Sequence, residues 1–141
     1  MKPKHKRINL LTCTKDDNIT KRLIDKFNTS WIQIYETPNA SDIPNVCAYN
    51  KFSHALIIID ESEYNSHIAE LDKNMFYLVI TDNRLSITDD TWNVCMIPKT
   101  IAHSEYLAEF VHLMLSRRTE IVASTAIKNN ALRTLEEIKR I

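Results

Sequence analysis

The chain has no glycine among its 141 residues, where ordinary usage would supply about ten. Phosphate cradles of the GxxxxGK(S/T) and GxGxxG types need glycine, because backbone N–H groups must close on the ligand without a Cβ in the way. A glycine-dependent nucleotide enzyme is therefore excluded. Cysteine is also scarce. Cys13, Cys47 and Cys95 are odd in number and show no CxxC or Cys/His ligand spacing, so a reduced, cytoplasmic setting is expected. The five histidines are scattered, and metal chemistry built on imidazole or thiolate is not expected. No stretch approaches the ~20 apolar residues of a membrane span, and no apolar signal segment comes after the charged start of the chain. An excess of charge is missing too: eighteen basic residues balance eighteen acidic ones, leaving no net field to attract nucleic acid or an anionic membrane. The cluster Lys2, Lys4, Lys6 and Arg7 is read as a solvated terminus and not as a nucleic-acid arm.

What remains is a composition ordinary for one globular domain, 44% hydrophobic and 26% charged. Ile8 to Thr12 reads as a short apolar strand. Thr14-Lys15-Asp16-Asp17 supplies helix-start chemistry, and Ile19, Leu23 and Phe27 repeat at i, i+4 and i+8. Trp31 to Tyr35 is a β-type run, Pro38 and Pro44 punctuate the next stretch, and a short helix fits around Val46 to Phe52. Leu56-Ile57-Ile58-Ile59 reads as a fully buried strand. Ser62 to Leu71 offers a helix with Tyr64, Ile68 and Leu71 on one face, and Met75 to Ile80 makes a fourth strand. Asn83 to Trp92 is polar and weakly periodic, which predicts a loop or one poor helical turn. Asn93 to Ile97 is the fifth strand. Strands alternating with helices predict a doubly wound α/β fold with a parallel sheet.

From Ser104 to Ile141 nothing breaks a helix. Leu107, Met114, Ile121, Lys128 and Leu135 fall seven apart, and Phe110, Ala131 and Ile138 flank them. The first half of this helix is expected to cover the sheet. The second half outruns a domain of this size and predicts pairing with a partner helix, although Lys128, Ser124 and Thr125 weaken the seam. The expected division is a domain over 1–118 and a helical extension over 119–141, a possible coiled-coil linker.

The chemistry lies at strand ends. The third strand stops at Asp60, the fourth at Thr81, and the fifth leads through Pro98 into Lys99. In a parallel sheet an acid, a hydroxyl and an ammonium then meet at the C-terminal edge, where open α/β folds place their sites. The plainer reading makes Asp60 a helix cap and Lys99 its counter-charge.

Ala55-Leu56-Ile57-Ile58-Ile59-Asp60, Leu78-Val79-Ile80-Thr81 and Ile97-Pro98-Lys99-Thr100-Ile101 carry a family resemblance. Over roughly residues 7–118 the chain resembles the receiver domain of two-component signalling. That resemblance implies a flavodoxin-like, five-stranded parallel sheet in the order 2-1-3-4-5. It places Asp60 at the phosphoacceptor position, facing a histidine kinase, with Thr81 and Lys99 at the phosphoryl-contact positions. Two acidic residues that usually hold magnesium at the end of strand one are here Thr12 and Cys13. Asp82 stands where a small residue usually comes after the hydroxyl, Thr100 where a proline comes after the lysine, and Met96 where many receivers carry a switch aromatic. The fourth helix looks eroded.

The expectation is therefore a degenerate receiver: no enzyme, no cofactor, and action through protein contacts made by the C-terminal helix, with a homodimer possible. The alternative is a phospho-accepting receiver switched at Asp60 with Mg2+. An aspartate-nucleophile hydrolase of the haloacid-dehalogenase type would need a second Asp where Ser62 stands.

Overall fold

The structure, a computed structural model, describes residues 8–27, 31–82 and 87–139, with the side chains of 88–90, 123–126 and 128 outside that description. The basic cluster at Lys2, Lys4, Lys6 and Arg7 lies outside the described residues. So do the side chains of Ser124, Thr125 and Lys128.

Apolar runs make the sheet. β1 (Ile8–Cys13), β2 (Ile32–Glu36), β3 (Leu56–Asp60), β4 (Phe76–Thr81) and β6 (Val94–Pro98) lie parallel in the order β2-β1-β3-β4-β6. Counting parallel strands alone, this is the expected 2-1-3-4-5 order. Both faces of the sheet are covered, so each central strand is apolar along its whole length and does not alternate with polar residues. Side chains still divide by the strand period of two. Leu10, Leu56, Ile58, Leu78, Ile80, Cys95 and Ile97 face a cluster built with α1 (Asp17–Phe27) and α5 (Tyr106–Lys139). Leu11, Ile57, Ile59, Tyr77 and Val79 face α2 (Ile43–Asn50) and α3 (Glu61–His67). Leu56 to Ile59 are fully buried, and each such aliphatic side chain contributes roughly 1.5–3 kcal/mol of transfer free energy.

The helices arise from local chemistry. In α1 the i, i+4, i+8 set Ile19, Leu23 and Phe27 is buried, and Asp16 caps the start by accepting the Asn18 N–H at 3.1 Å. α2 carries Pro44 in its first turn and ends at Lys51, whose φ of 57° and ψ of 41° lie in the left-handed region. α3 is shorter than the periodicity predicts. It ends at His67, and the Glu70 and Leu71 N–H groups then turn back onto the His67 carbonyl. Leu71 is thereby buried without further helix, while Ile68 stays exposed.

The segment expected as a loop or helical turn before Trp92 holds instead β5 (Thr88–Thr91), which runs antiparallel to β6 at the outer edge of the sheet. Asn93 fixes the hairpin turn. Its Oδ1 accepts the Thr91 hydroxyl at 2.8 Å, and its amide donates to the Lys73 and Met75 carbonyls at 3.1 Å each. A hairpin thus stands where a helix would join β4 to the last parallel strand. Periodicity misses it because Thr-Asp-Asp-Thr has no apolar side to display. After β6 comes one helical turn, α4 (Lys99–Ala102), and then α5, continuous over 34 residues and across the expected boundary at 118/119. Among the described residues no helix is long and apolar enough to cross a membrane.

Candidate functional site

Parallel register brings the predicted residues to one edge. Asp60 pairs with Ile80 across β3 and β4, and Thr81 pairs with Pro98 across β4 and β6, so Asp60, Thr81 and Lys99 succeed one another around the C-terminal edge of the sheet. Thr81 is buried there, and Lys99 is exposed.

Their partners differ from the plainer reading. Asp60 occupies the N-cap position of α3 but makes no side-chain cap bond to that helix. Its carboxylate turns sideways to the β1–α1 loop. Oδ1 accepts the Thr14 hydroxyl at 2.9 Å and Oδ2 accepts the Lys15 backbone N–H at 3.1 Å. The Thr14 Oγ1 in turn accepts the Asp16 N–H at 3.2 Å, which closes the loop on itself. Lys99 is not the counter-charge of Asp60. Its ammonium lies 3.8 Å from Asp82 Oδ1, an exposed pair of small energetic weight.

The β1–α1 loop is tied on both flanks. Lys15 Nζ sits 3.8 Å from Glu63 on α3. On the other side Asp16 Oδ2 lies 2.6 Å from His103 Nε2, and Arg22 donates to the His103 carbonyl. Asp16 is therefore both a cap of α1 and a link to the turn between α4 and α5. Thr14 and His103 are not legible in sequence as site residues. Thr14 reads as helix-start chemistry, and His103 is brought in from eighty-seven positions beyond Asp16 by the fold alone.

Thr12 and Cys13, at the acidic-pair positions, are both buried. The Thr12 hydroxyl donates to the Tyr35 carbonyl at 3.4 Å. Burial pushes the Cys13 thiol up to about 11, with the charges of Glu63, Asp60 and Asp42 adding to the shift. Among the described residues no group of three or more His, Cys, Asp or Glu is arranged to hold a metal ion. What the edge can do chemically is narrow: it offers a hydrogen-bonded carboxylate, a buried hydroxyl and one solvated ammonium already beside an acid. Comparison with known proteins returns no matching family model, no matching curated protein and no matching solved structure.

Proposed function

We propose that the chain is a signal-transduction module, a degenerate receiver that works through protein contacts and not through magnesium-dependent phosphorylation. One observation carries this reading: each oxygen of Asp60 accepts a hydrogen bond from the β1–α1 loop, which turns the carboxylate sideways and uses it as a structural clasp. An aspartate nucleophile needs a lone pair aimed at the incoming phosphorus and cations to neutralise the product. The residues present do not fit magnesium. A thiol held protonated at Cys13 is no ligand for a hard cation, Thr12 has its hydroxyl on Tyr35, and Glu63 and Asp16 are paired with Lys15 and His103. Asp82 beside Thr81 adds a negative charge that opposes a phosphoryl group and lies next to the Lys99 ammonium.

The second reading, a phospho-accepting receiver switched at Asp60 by a histidine kinase, is favoured by the register that aligns Asp60, Thr81 and Lys99 on adjacent strands. Titration with beryllofluoride and Mg2+, monitored by amide NMR, separates the two. No saturable change is expected. Saturable shifts around residues 60, 81 and 99 that vanish in Asp60→Asn would establish the second reading instead.

A further inference from the structure

α5 has two apolar sides. On one, Leu107, Val111, Met114 and Leu115 are buried against the sheet, and Arg118 extends that line by donating its Nε–H to the His54 carbonyl at 2.6 Å. The seven-residue series read from Leu107 through Met114 to Ile121 is thus spent on the chain's own core. A second line runs about 100° further round the helix at 3.6 residues per turn. Tyr106, Leu113, Glu120 and Ile127 lie seven apart on it, beside Phe110, Arg117, Ala131 and Ile138. Tyr106 is 51% exposed, Leu113 40%, Ile127 70% and Ile138 60%, while Phe110, at the border between the two lines, is half-buried and packs against the core. The second line continues from the domain into the extension without a break.

We infer that this outer line is the contact between two copies of the chain, paired antiparallel along α5. Charge and size both select that arrangement. With the two-fold axis passing between residues 118 and 119, Arg117 of one copy, whose Nη1 also donates to the Met114 sulfur of its own chain at 3.9 Å, lies opposite Glu120 of the other, and the same pair recurs by symmetry. Moving outward, Phe110 meets Ile127 and Tyr106 meets Ala131, so each aromatic finds an aliphatic or small partner. A parallel pair would set Glu120 on Glu120 and Arg117 on Arg117 in the middle of the seam, where like charges repel. In the antiparallel pair Leu135 and Ile138 pass beyond Tyr106 of the second copy, toward the edge that carries its Asp60. The inference deepens the reading of α5 as the interaction element, by naming its partner, and does not depend on the chemistry of Asp60.

Sedimentation equilibrium of the full chain is expected to give a dimer. Glu120→Arg should weaken it on the order of tenfold or more, and Ile127→Glu likewise. The double exchange Arg117→Glu with Glu120→Arg should restore it, which a mere loss of folding would not. Orientation is read by disulfide trapping, since the three native cysteines are buried. A mixture of Tyr106→Cys and Ala131→Cys chains should cross-link, and Tyr106→Cys alone should not. A monomer up to millimolar chain, failure of the double exchange to restore association, or self-linking of Tyr106→Cys would each overturn the proposal. Those results leave the reading of Asp60 untouched, just as a beryllofluoride response would leave the dimer standing.

Discussion

Asp60 lies at the start of α3 yet holds a different segment, the loop after β1, through two hydrogen bonds to one carboxylate. Asp60→Ala removes the acceptor of the Thr14 hydroxyl and of the Lys15 N–H together. It should lower unfolding free energy in urea by about 1–3 kcal/mol, whereas Asp60→Asn, which keeps one acceptor oxygen, should lose less. A change within about 0.5 kcal/mol for Asp60→Ala would remove the clasp role. The neighbouring Cys13 sets a pH limit. Its thiol titrates near 9.0 when unfolded and at about 11 in the fold. Because the folded value is the higher one, the stabilisation is complete below pH 9 and is lost as pH climbs through 11. That gap corresponds to a loss of roughly 3 kcal/mol, and Cys47 and Tyr77, both raised by burial, act in the same direction. Stability measured between pH 8 and 11 should therefore fall, and Cys13→Ala should make the fall shallower.

At the scale of elements, a chain without glycine must end its helices by other means. α2 closes with Lys51 in the left-handed region, where a Cβ crowds the following carbonyl. Lys51→Gly should raise stability by about 0.5–1 kcal/mol once the greater freedom of glycine in the unfolded chain is set against the relieved crowding. Thermal unfolding of the two proteins measures the difference, and Lys51→Ala should show none of the gain. The elements also show what the sequence makes legible. The five parallel strands can be read because burial on both faces forces continuous apolar runs such as Leu56 to Ile59. The alignment of Asp60, Thr81 and Lys99 is legible with them, since it needs nothing beyond parallel register. β5 cannot be read, because an edge strand of Thr-Asp-Asp-Thr shows neither run nor alternation. Thr14 and His103 are hidden for another reason. Their roles depend on loops meeting across the sheet edge, and no local pattern encodes that meeting. The long helix is plain from Ser104 onward, and its first half faces the core, as expected of a helix that must cover the sheet.

Across the whole molecule, the core and the far end of α5 are nearly independent in energy. Leu107 to Leu115 lock the helix to the sheet, Arg118 adds a bond to His54, and beyond Val122 the described side chains are exposed. Removing residues after 122 should leave unfolding free energy within about 0.5 kcal/mol at concentrations where the chain is monomeric. A larger loss would mean that the far half of α5 stabilises the domain itself.

The unbroken run of α5 also has a mechanical meaning. Residues 122–139 reach about 27 Å beyond the last core contacts at 1.5 Å per residue. A tilt of roughly 10° where Arg118 grips His54 would sweep the tip through about 5 Å over that arm. The grip on His54 sits at the edge of the sheet opposite Asp60, so a helix tilted there would turn a small displacement at that edge into a larger one at its end.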